Sequence, residues 1–361
     1  MKTNQQRKVK LLIFTPTLQC GGAEKLVSLF CNHINTEKFT VCLVVLDNAR
    51  QFYAVKNPAV KLVDLGESRV RYSLFKIRRA VKRYQPDIVF TTANHLNLYF
   101  AIFRNWFPRQ IKFLARESSI VSINNQRSTM PWLYNRLLKK YFPRFDFIVC
   151  QSAYMQQDLI QHYHIPENKT LVIYNATEER TREPIPGNDN KGYKFVTVSR
   201  LSEEKGIERL IHAVGLLTIP FTYYIIGDGD KRASLQRLIN ELKLQDKVFL
   251  QGQKEDPFSG MEDADLFLMG SYYEGFPNVL LEAGSCGIPV VAFNAAGGIG
   301  EAVSDGVNGF LVEDNDLIGF ATTMNKAITY GFNREKIIET TQKRFSITAM
   351  MNKLEDLLMR L

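Results

Sequence analysis

Short apolar runs of four to six residues alternate along this chain with longer segments in which apolar residues recur every three to four positions. That alternation constrains the fold more than any other feature. Residues 10–14 read as a strand, followed by a turn at Gly21-Gly22 and then Leu26, Val27, Phe30, Cys31 and Ile34 at helical spacing. Strands are expected at 41–46, 60–64, 87–91, 111–115 and 147–151, with a helix over 74–84 that Pro86 ends. A polar stretch rich in Pro and Gly interrupts the pattern, and we place a linker at 179–192. The alternation then restarts: strands at 194–199, 222–226, 248–251, 266–270, 289–293 and 309–312, with helices at 206–217, 231–241, from 277, 299–303 and 317–329. Strands alternating with helices predict an α/β fold with parallel sheets covered on both faces. A length of 361 residues suggests two such doubly wound domains, over 1–178 and 193–342, followed by an amphipathic helix within 343–361. In such domains ligands bind beyond the carboxyl ends of the strands, and two in tandem leave a cleft between them.

Composition excludes several classes. With 45% hydrophobic and 23% charged residues, the chain is neither disordered, collagenous nor coiled-coil. Its longest apolar runs, 41–46 and 98–103, fall far short of the ~20 residues that span a bilayer. The basic start leads into only residues 11–14 before Thr15-Pro16, which is too short for a signal peptide. Five scattered cysteines, at 20, 31, 42, 150 and 286, match no metal-ligand spacing. They read as buried thiols of a cytoplasmic protein, so the sequons at Asn168 and Asn175 carry no glycosylation message.

Charge is divided unevenly. Residues 1–183 hold 28 Lys and Arg against 13 Asp and Glu, whereas the remainder holds 18 against 24. A basic first half predicts an anionic partner there. Basic residues cluster at Arg69, Arg71, Lys76, Arg78, Arg79, Lys82 and Arg83, and again at Arg136, Lys139, Lys140 and Arg144. Among the second group, Leu133, Tyr134, Leu137, Leu138, Tyr141 and Phe142 recur at helical spacing. Such a helix suits an anionic membrane surface or a phosphorylated lipid, or else it is a solvated helix with its apolar face in the core. No nucleic-acid motif is present, and none is expected as partner.

The segment Glu274-Gly275-Phe276-Pro277-Asn278-Val279 through Glu282 is the most informative. It reads as a strand-to-helix turn with Pro277 at the first helical position, where its missing N–H costs nothing. The amides of Asn278, Val279 and Leu280 would then face the ligand edge, a natural seat for a diphosphate. Glu274 and Glu282 flank that seat; since carboxylates repel phosphate, sugar and ribose hydroxyls suit them better. Alternatively both acids complement the helix dipole. Arg200 and Lys205 follow the strand at 194–199, at the same edge, where a guanidinium fork and a point charge fit a departing diphosphate. Alternatively they are surface charges beside Glu203 and Glu204. Gly21-Gly22 and Gly227-Asp228-Gly229 are turns where backbone can approach a ligand. Asp228-x-Asp230 and Asp263-x-Asp265 mimic a metal–diphosphate signature, but the second precedes its strand and lies at the wrong edge. No metal or other cofactor is expected, because the cations and the helix end already supply positive charge.

Taken together, Gly21-Gly22-Ala23-Glu24, Tyr174-Asn175, Ser199-Arg200-Leu201 with Lys205-Gly206, Ile226-Gly227-Asp228-Gly229, Glu274 through Glu282, and Gly297-Gly298 with Glu301 resemble the retaining glycosyltransferases of family 4, which have the GT-B fold. The resemblance spans nearly the whole chain. It implies an acceptor-binding domain at 1–178, a donor-binding domain at 193–342, and a last helix that crosses back onto the first domain. Glu282 would grip the donor ribose. Glu274, with the backbone of Gly275, Phe276 and Pro277, would hold the transferred sugar. Arg200 and Lys205 would neutralise the diphosphate, and Gly22 would approach from the other domain. Configuration would be kept without a metal, the leaving phosphate helping to deprotonate the acceptor.

In one place the chain departs from that pattern. Where many relatives carry a His after a mid-domain strand, this chain reads Ala115-Arg116-Glu117-Ser118. Glu117, Ser118, Gly21 and His95 are therefore the acceptor-side candidates. The expectation is a hexosyl transferase using a UDP- or GDP-sugar and a lipid-linked saccharide or polysaccharide acceptor, in lipopolysaccharide or capsule synthesis, peripheral on the inner face of the cell membrane. A small soluble acceptor, or a nucleotide-sugar-binding subunit without turnover, are the alternatives.

Overall fold

Every ladder between the strands described below is parallel, as buried apolar runs separated by helices require. The computed structural model describes residues 7–67, 69–126, 129–179, 192–256, 258–259 and 263–361, the side chain of Arg71 excepted. The expected linker at 179–192 lies almost wholly outside them. The chain divides into two units, one of residues 1–175 with 347–361 and one of residues 176–346.

Unit 1 runs β1 (Val9–Thr15), α1 (Gly22–His33), β2 (Phe39–Val45), β3 (Lys61–Asp64), α2 (Leu74–Tyr84), β4 (Ile88–Thr91), α3 (Asn94–Ile102), β5 (Lys112–Arg116), α4 (Val121–Gln126), α5 (Pro131–Tyr141), β6 (Phe147–Cys150), α6 (Ala153–Tyr163) and β7 (Thr170–Val172). Its seven strands are ordered β3-β2-β1-β4-β5-β6-β7. Leu11 through Phe14 are wholly buried at its centre. Helix α3 has no amphipathic rhythm because Leu96, Leu98, Tyr99, Phe100 and Ala101 are all buried, which is why periodicity alone did not mark it.

Unit 2 runs β8 (Tyr193–Val198), α7 (Ile207–Gly215), β9 (Phe221–Ile226), α8 (Arg232–Glu241), β10 (Val248–Gly252), β11 (Leu266–Met269), β12 (Tyr273–Glu274), α9 (Asn278–Ser285), β13 (Val290–Phe293), β14 (Ala296–Gly297), α10 (Ile299–Ala302), β15 (Gly309–Val312), α11 (Leu317–Thr329) and α12 (Arg334–Phe345). Six strands form its main sheet in the order β10-β9-β8-β11-β13-β15, and β12 pairs with β14 apart from it. The order reverses beside β8, so the crevice past β8 and β11 is where ligands of such sheets bind. Inside, the Thr197 hydroxyl reaches the Leu268 carbonyl at 2.6 Å and the Tyr223 hydroxyl at 2.7 Å, which satisfies both buried polar groups.

The last helix, α13 (Ile347–Arg360), belongs to unit 1 and packs on α1. It buries Met350, Met351, Leu354, Leu357 and Leu358. Its Glu355 carboxylate accepts the Asn35 amide N–H at 2.9 Å, which accounts for an acid on that buried face. Thr177 bridges Ser346, so the two termini of unit 2 leave side by side.

Candidate functional site

Two loops of unit 2 converge at the carboxyl ends of β8 and β11. The first leaves β8 at Ser199 and is held by the Gly227-Asp228-Gly229 turn. A Cβ on Gly227 would stand 1.8 Å from the Ser199 carbonyl, and one on Gly229 2.4 Å from that of Leu201. Only glycine lets the two turns touch, so here these residues seat the segment that carries Arg200. The second loop leaves β11 and carries Ser271, Tyr272 and Glu274. The Tyr272 amide donates to the Glu204 carbonyl at 2.9 Å, which ties the loops together.

Lys205 and Glu274 meet where the loops meet. The Lys205 ammonium lies 2.6 Å from Glu274 Oε1, and the Ser271 hydroxyl donates to the same oxygen at 2.8 Å. Both charged side chains are only about a fifth exposed (22% and 15%), a setting in which an ion pair is better defined than on open surface. Arg200 stands on the same loop but turns outward, 70% exposed, with Nη2 2.7 Å from Glu204 Oε1. Burial alone would raise the Glu204 carboxyl. Hydrogen bonds from Ser202, its own backbone amide and Arg200, together with the Arg200 charge, outweigh it and hold the group down at about 2.

The backbone of Glu274 is fixed as well. Strand β12 pairs with β14 through Glu274 and Gly297, and the Gly298 amide donates to the Glu274 carbonyl at 3.1 Å. After Gly275 and the buried Phe276 the chain enters α9. The helix begins at Asn278, with Pro277 as its extended cap rather than its first residue. Contrary to expectation, the Leu280 amide does not face the ligand edge unengaged: it donates to the Pro277 carbonyl at 3.0 Å. Glu282 lies one turn inside α9, half-buried.

Of the two Asp-x-Asp pairs, Asp228 accepts the Gly229 amide at 2.8 Å, while Asp263 and Asp265 both engage Lys194 at the opposite, amino-terminal edge. No group of three or more His, Cys, Asp or Glu among the described residues could hold a metal ion.

The corresponding edge of unit 1 is a buried polar cluster. Asn97 donates to Glu117 Oε1 at 2.6 Å and accepts from the Thr91 hydroxyl at 2.5 Å. Arg116 Nη2 donates to Asn175 Oδ1 at 2.5 Å, and Gln151 joins Asn175 to the Glu117 carbonyl at 2.9 and 2.8 Å. Arg116 Nη1 and Glu117 Oε2 are buried with no hydrogen-bond partner. Burial pushes the Glu117 carboxyl up to about 8, against the Asn97 hydrogen bond and the Arg116 charge and reinforced by Asp158. Burial likewise draws Arg116 down to about 10, against the pull of Glu117. Glu117, expected on the acceptor side, is thus wholly enclosed one residue past β5, where it supports the edge without being exposed on it. Ser118 is half-buried beside it, and His95 is exposed in the first turn of α3. Gly21, extended, caps α1, and Gly22 is its first residue.

The basic helices also take a definite form. On α5 the residues Leu133, Leu137 and Leu138 turn inward, Leu138 wholly, which leaves Trp132, Asn135, Arg136, Lys139 and Lys140 lining one open outer stripe. Helix α2 buries Ile77 and Val81 and exposes Phe75, Arg78, Arg79, Lys82 and Arg83; Arg78 lies over the Trp106 ring at 5.9 Å. The apolar spacing noted in the sequence therefore serves the core, and the outward faces are cationic with a few exposed aromatics. Cys20 is exposed, unlike the other four cysteines and contrary to expectation, because it precedes the cap of α1.

Two supports of the site, Ser271 and Arg209, are not among the sequence candidates. A charged residue between Ile207 and the Leu210-Ile211 pair, on an apolar helix face, was the available signal for Arg209.

Known proteins resemble this chain in sequence and in fold. Residues 178–344 match the model described as glycosyl transferases group 1, and residues 20–180 match glycosyltransferase family 4. A Campylobacter jejuni relative named as an N-acetylgalactosaminyltransferase acting on an N-acetylgalactosamine-N,N'-diacetylbacillosaminyl-diphospho-undecaprenol is 29% identical over 329 residues, covering 85% of this chain and 87% of that protein. The Rhizobium meliloti lipopolysaccharide core biosynthesis glycosyltransferase LpsE is 32% identical over 270 residues, covering 73% and 72%. Among solved structures, the lipopolysaccharide outer core galactosyltransferase WaaB superposes with a TM-score of 0.78 at 20% identity, covering 98% of this chain and 99% of that one. The Anabaena protein Alr3699/HepE, solved with UDP, gives 0.78 at 22%, covering 98% and 100%.

Proposed function

The chain belongs to glycosyltransferase family 4 and has the GT-B fold, and from that premise we propose that it moves a hexose-type sugar from a UDP- or GDP-sugar to a lipid-linked saccharide or polysaccharide acceptor with retention of configuration. One observation carries the donor half of this proposal: Lys205, from one loop, and Ser271, from the other, both donate to Glu274 Oε1, at 2.6 and 2.8 Å. The Lys205 ammonium is paired with Glu274. A nucleotide diphosphate offers that ammonium a doubly charged partner, which frees Glu274 to accept hydroxyls of the donor sugar. Arg200, exposed at the surface, can swing from Glu204 to the same diphosphate as a fork. Glu282 takes the ribose hydroxyls, and Gly275, Phe276, Pro277, Asn278 and Val279 wall the sugar. The bond from the anomeric carbon to the diphosphate oxygen breaks, and a bond to the acceptor oxygen forms on the same face. The acceptor proton passes to the leaving phosphate, and the cations stabilise the charge that develops there. No step requires a metal.

The acceptor half is supported by the exposed cations of α2 and α5 and by the lipid-diphosphate and lipopolysaccharide substrates in the names of the relatives. No described helix is long and apolar enough to cross a membrane. A cationic surface carrying Phe75, Trp106 and Trp132 suits binding at the face of an anionic membrane on the cytoplasmic side. Gly21, Gly22, His95 and Ser118 are the groups at the unit 1 edge that could meet an acceptor, with Glu117 beneath them. The test is sugar transfer from a panel of UDP- and GDP-sugars to a polyprenyl-diphosphate-linked saccharide, with the anomer of the product assigned by NMR. Transfer that Glu274→Ala abolishes is expected; full activity in that variant would refute the assignment.

A further inference from the structure

One charged side chain in unit 2 is buried without touching the expected ligand groups. Arg209, in the first turn of α7, is 5% exposed, yet its guanidinium is almost fully engaged. Nε donates to the Gly270 carbonyl at 2.6 Å and Nη2 to the Ser271 carbonyl at 2.7 Å. Nη1 donates to Asp314 Oδ1 at 2.6 Å and to Asn315 Oδ1 at 3.1 Å. The Tyr272 and Phe293 rings lie 4.1 and 4.0 Å from its Cζ.

All four hydrogen-bond partners are loop residues at the carboxyl edge of the sheet. Two follow β11, on the segment that leads into Glu274; two follow β15. A residue that only anchored α7 would be apolar, like its neighbours Ile207, Leu210 and Ile211. A buried cation earns its place only when its bonds fix something. From a position three residues beyond Gly206, the helix cap that follows Lys205, it fixes the strand exit that carries Ser271 and leads to Glu274. The planar fork, held near two rings and bonded to two backbone carbonyls and two side-chain oxygens, is a geometry that a lysine ammonium cannot reproduce.

We propose that Arg209 is a positioning residue for sugar transfer. It clamps the Gly270–Tyr272 backbone to the Lys205 turn and to the loop after β15, so that the Glu274 carboxylate is presented at one fixed place. This inference rests on the transferase reading. An acid displaced by an ångström costs about 100-fold in rate while barely altering binding of the nucleotide, which other groups hold. In Arg209→Lys, kcat is therefore expected to fall about 100-fold with KM for the donor nearly unchanged. Hydrogen exchange should quicken at residues 270–274 and not along α7. Asp314→Asn, at an exposed partner the fold can spare, is expected to give a smaller kcat loss in the same direction, and it serves if Arg209→Lys does not fold. Unchanged kcat and unchanged exchange in a folded variant, or a loss confined to KM, would overturn the role of Arg209. Absence of transfer by the unaltered protein from every donor would instead overturn the transferase reading, and the positioning role of Arg209 with it.

Discussion

Glu117→Gln should uncouple the stability of unit 1 from pH. The carboxyl is wholly buried, and burial pushes it up to about 8 from an ordinary value of 4.5. The folded state therefore holds its proton more tightly than the unfolded state. Stability from this group is fully present below about pH 4.5 and is lost as pH rises towards 8. Each pH unit in that window costs about 1.4 kcal/mol, and the whole window on the order of 5 kcal/mol, an upper figure because water entry and relaxation soften it. For a unit of this size the slope corresponds to roughly 3–5 °C in melting temperature per pH unit. Glutamine keeps the oxygen that Asn97 binds and removes the titration. Calorimetry of both proteins from pH 5 to 9 checks this, and the difference between them isolates position 117. The expected result is near-equal melting at pH 5 and a variant that is progressively the more stable towards pH 8. Parallel curves across the range would refute buried ionisation as the cause.

Three further outcomes follow from the same geometry. Gly206 has φ of 57° and a Cβ there would sit 1.9 Å from the Gly270 carbonyl, so Gly206→Ala should destabilise unit 2 by more than about 2 kcal/mol, read by urea denaturation. Replacing Arg136, Lys139 and Lys140 together by Glu should abolish flotation with anionic vesicles while leaving transfer to a water-soluble acceptor analogue intact; unchanged flotation would remove α5 from membrane binding. A charged thiol reagent should modify Cys20 in the native protein and all five cysteines only after denaturation, counted by mass spectrometry.

Much of the scaffold is legible in the sequence because parallel strands announce themselves as apolar runs; the central β1 and β11 were marked within a residue or two at either end. Helices with one apolar stripe, such as α2 and α7, are visible for the same reason. What periodicity cannot show is a helix buried on all sides, such as α3, or a two-residue strand such as β12, whose pairing depends on Gly297 far along the chain. At the site, residue types on single loops could be read as a group. Their partnerships could not, because Lys205 and Glu274 are 69 residues apart and meet only through the fold. The apolar rhythm of residues 133–142 fitted either a membrane face or a core face, since both demand the same spacing; only burial separates them. Glu117 invited an acceptor-side role for a similar reason, because sequence does not show whether a carboxylate ends outside a strand edge or beneath it.

The most direct test is a crystal structure of the protein soaked with an intact or non-hydrolysable UDP- or GDP-sugar. The diphosphate is expected against Lys205 and a repositioned Arg200, the ribose at Glu282, and the sugar at Glu274 with the Lys205–Glu274 contact opened. A nucleotide sugar bound elsewhere, or bound with that ion pair closed and untouched, would contradict the proposed donor site.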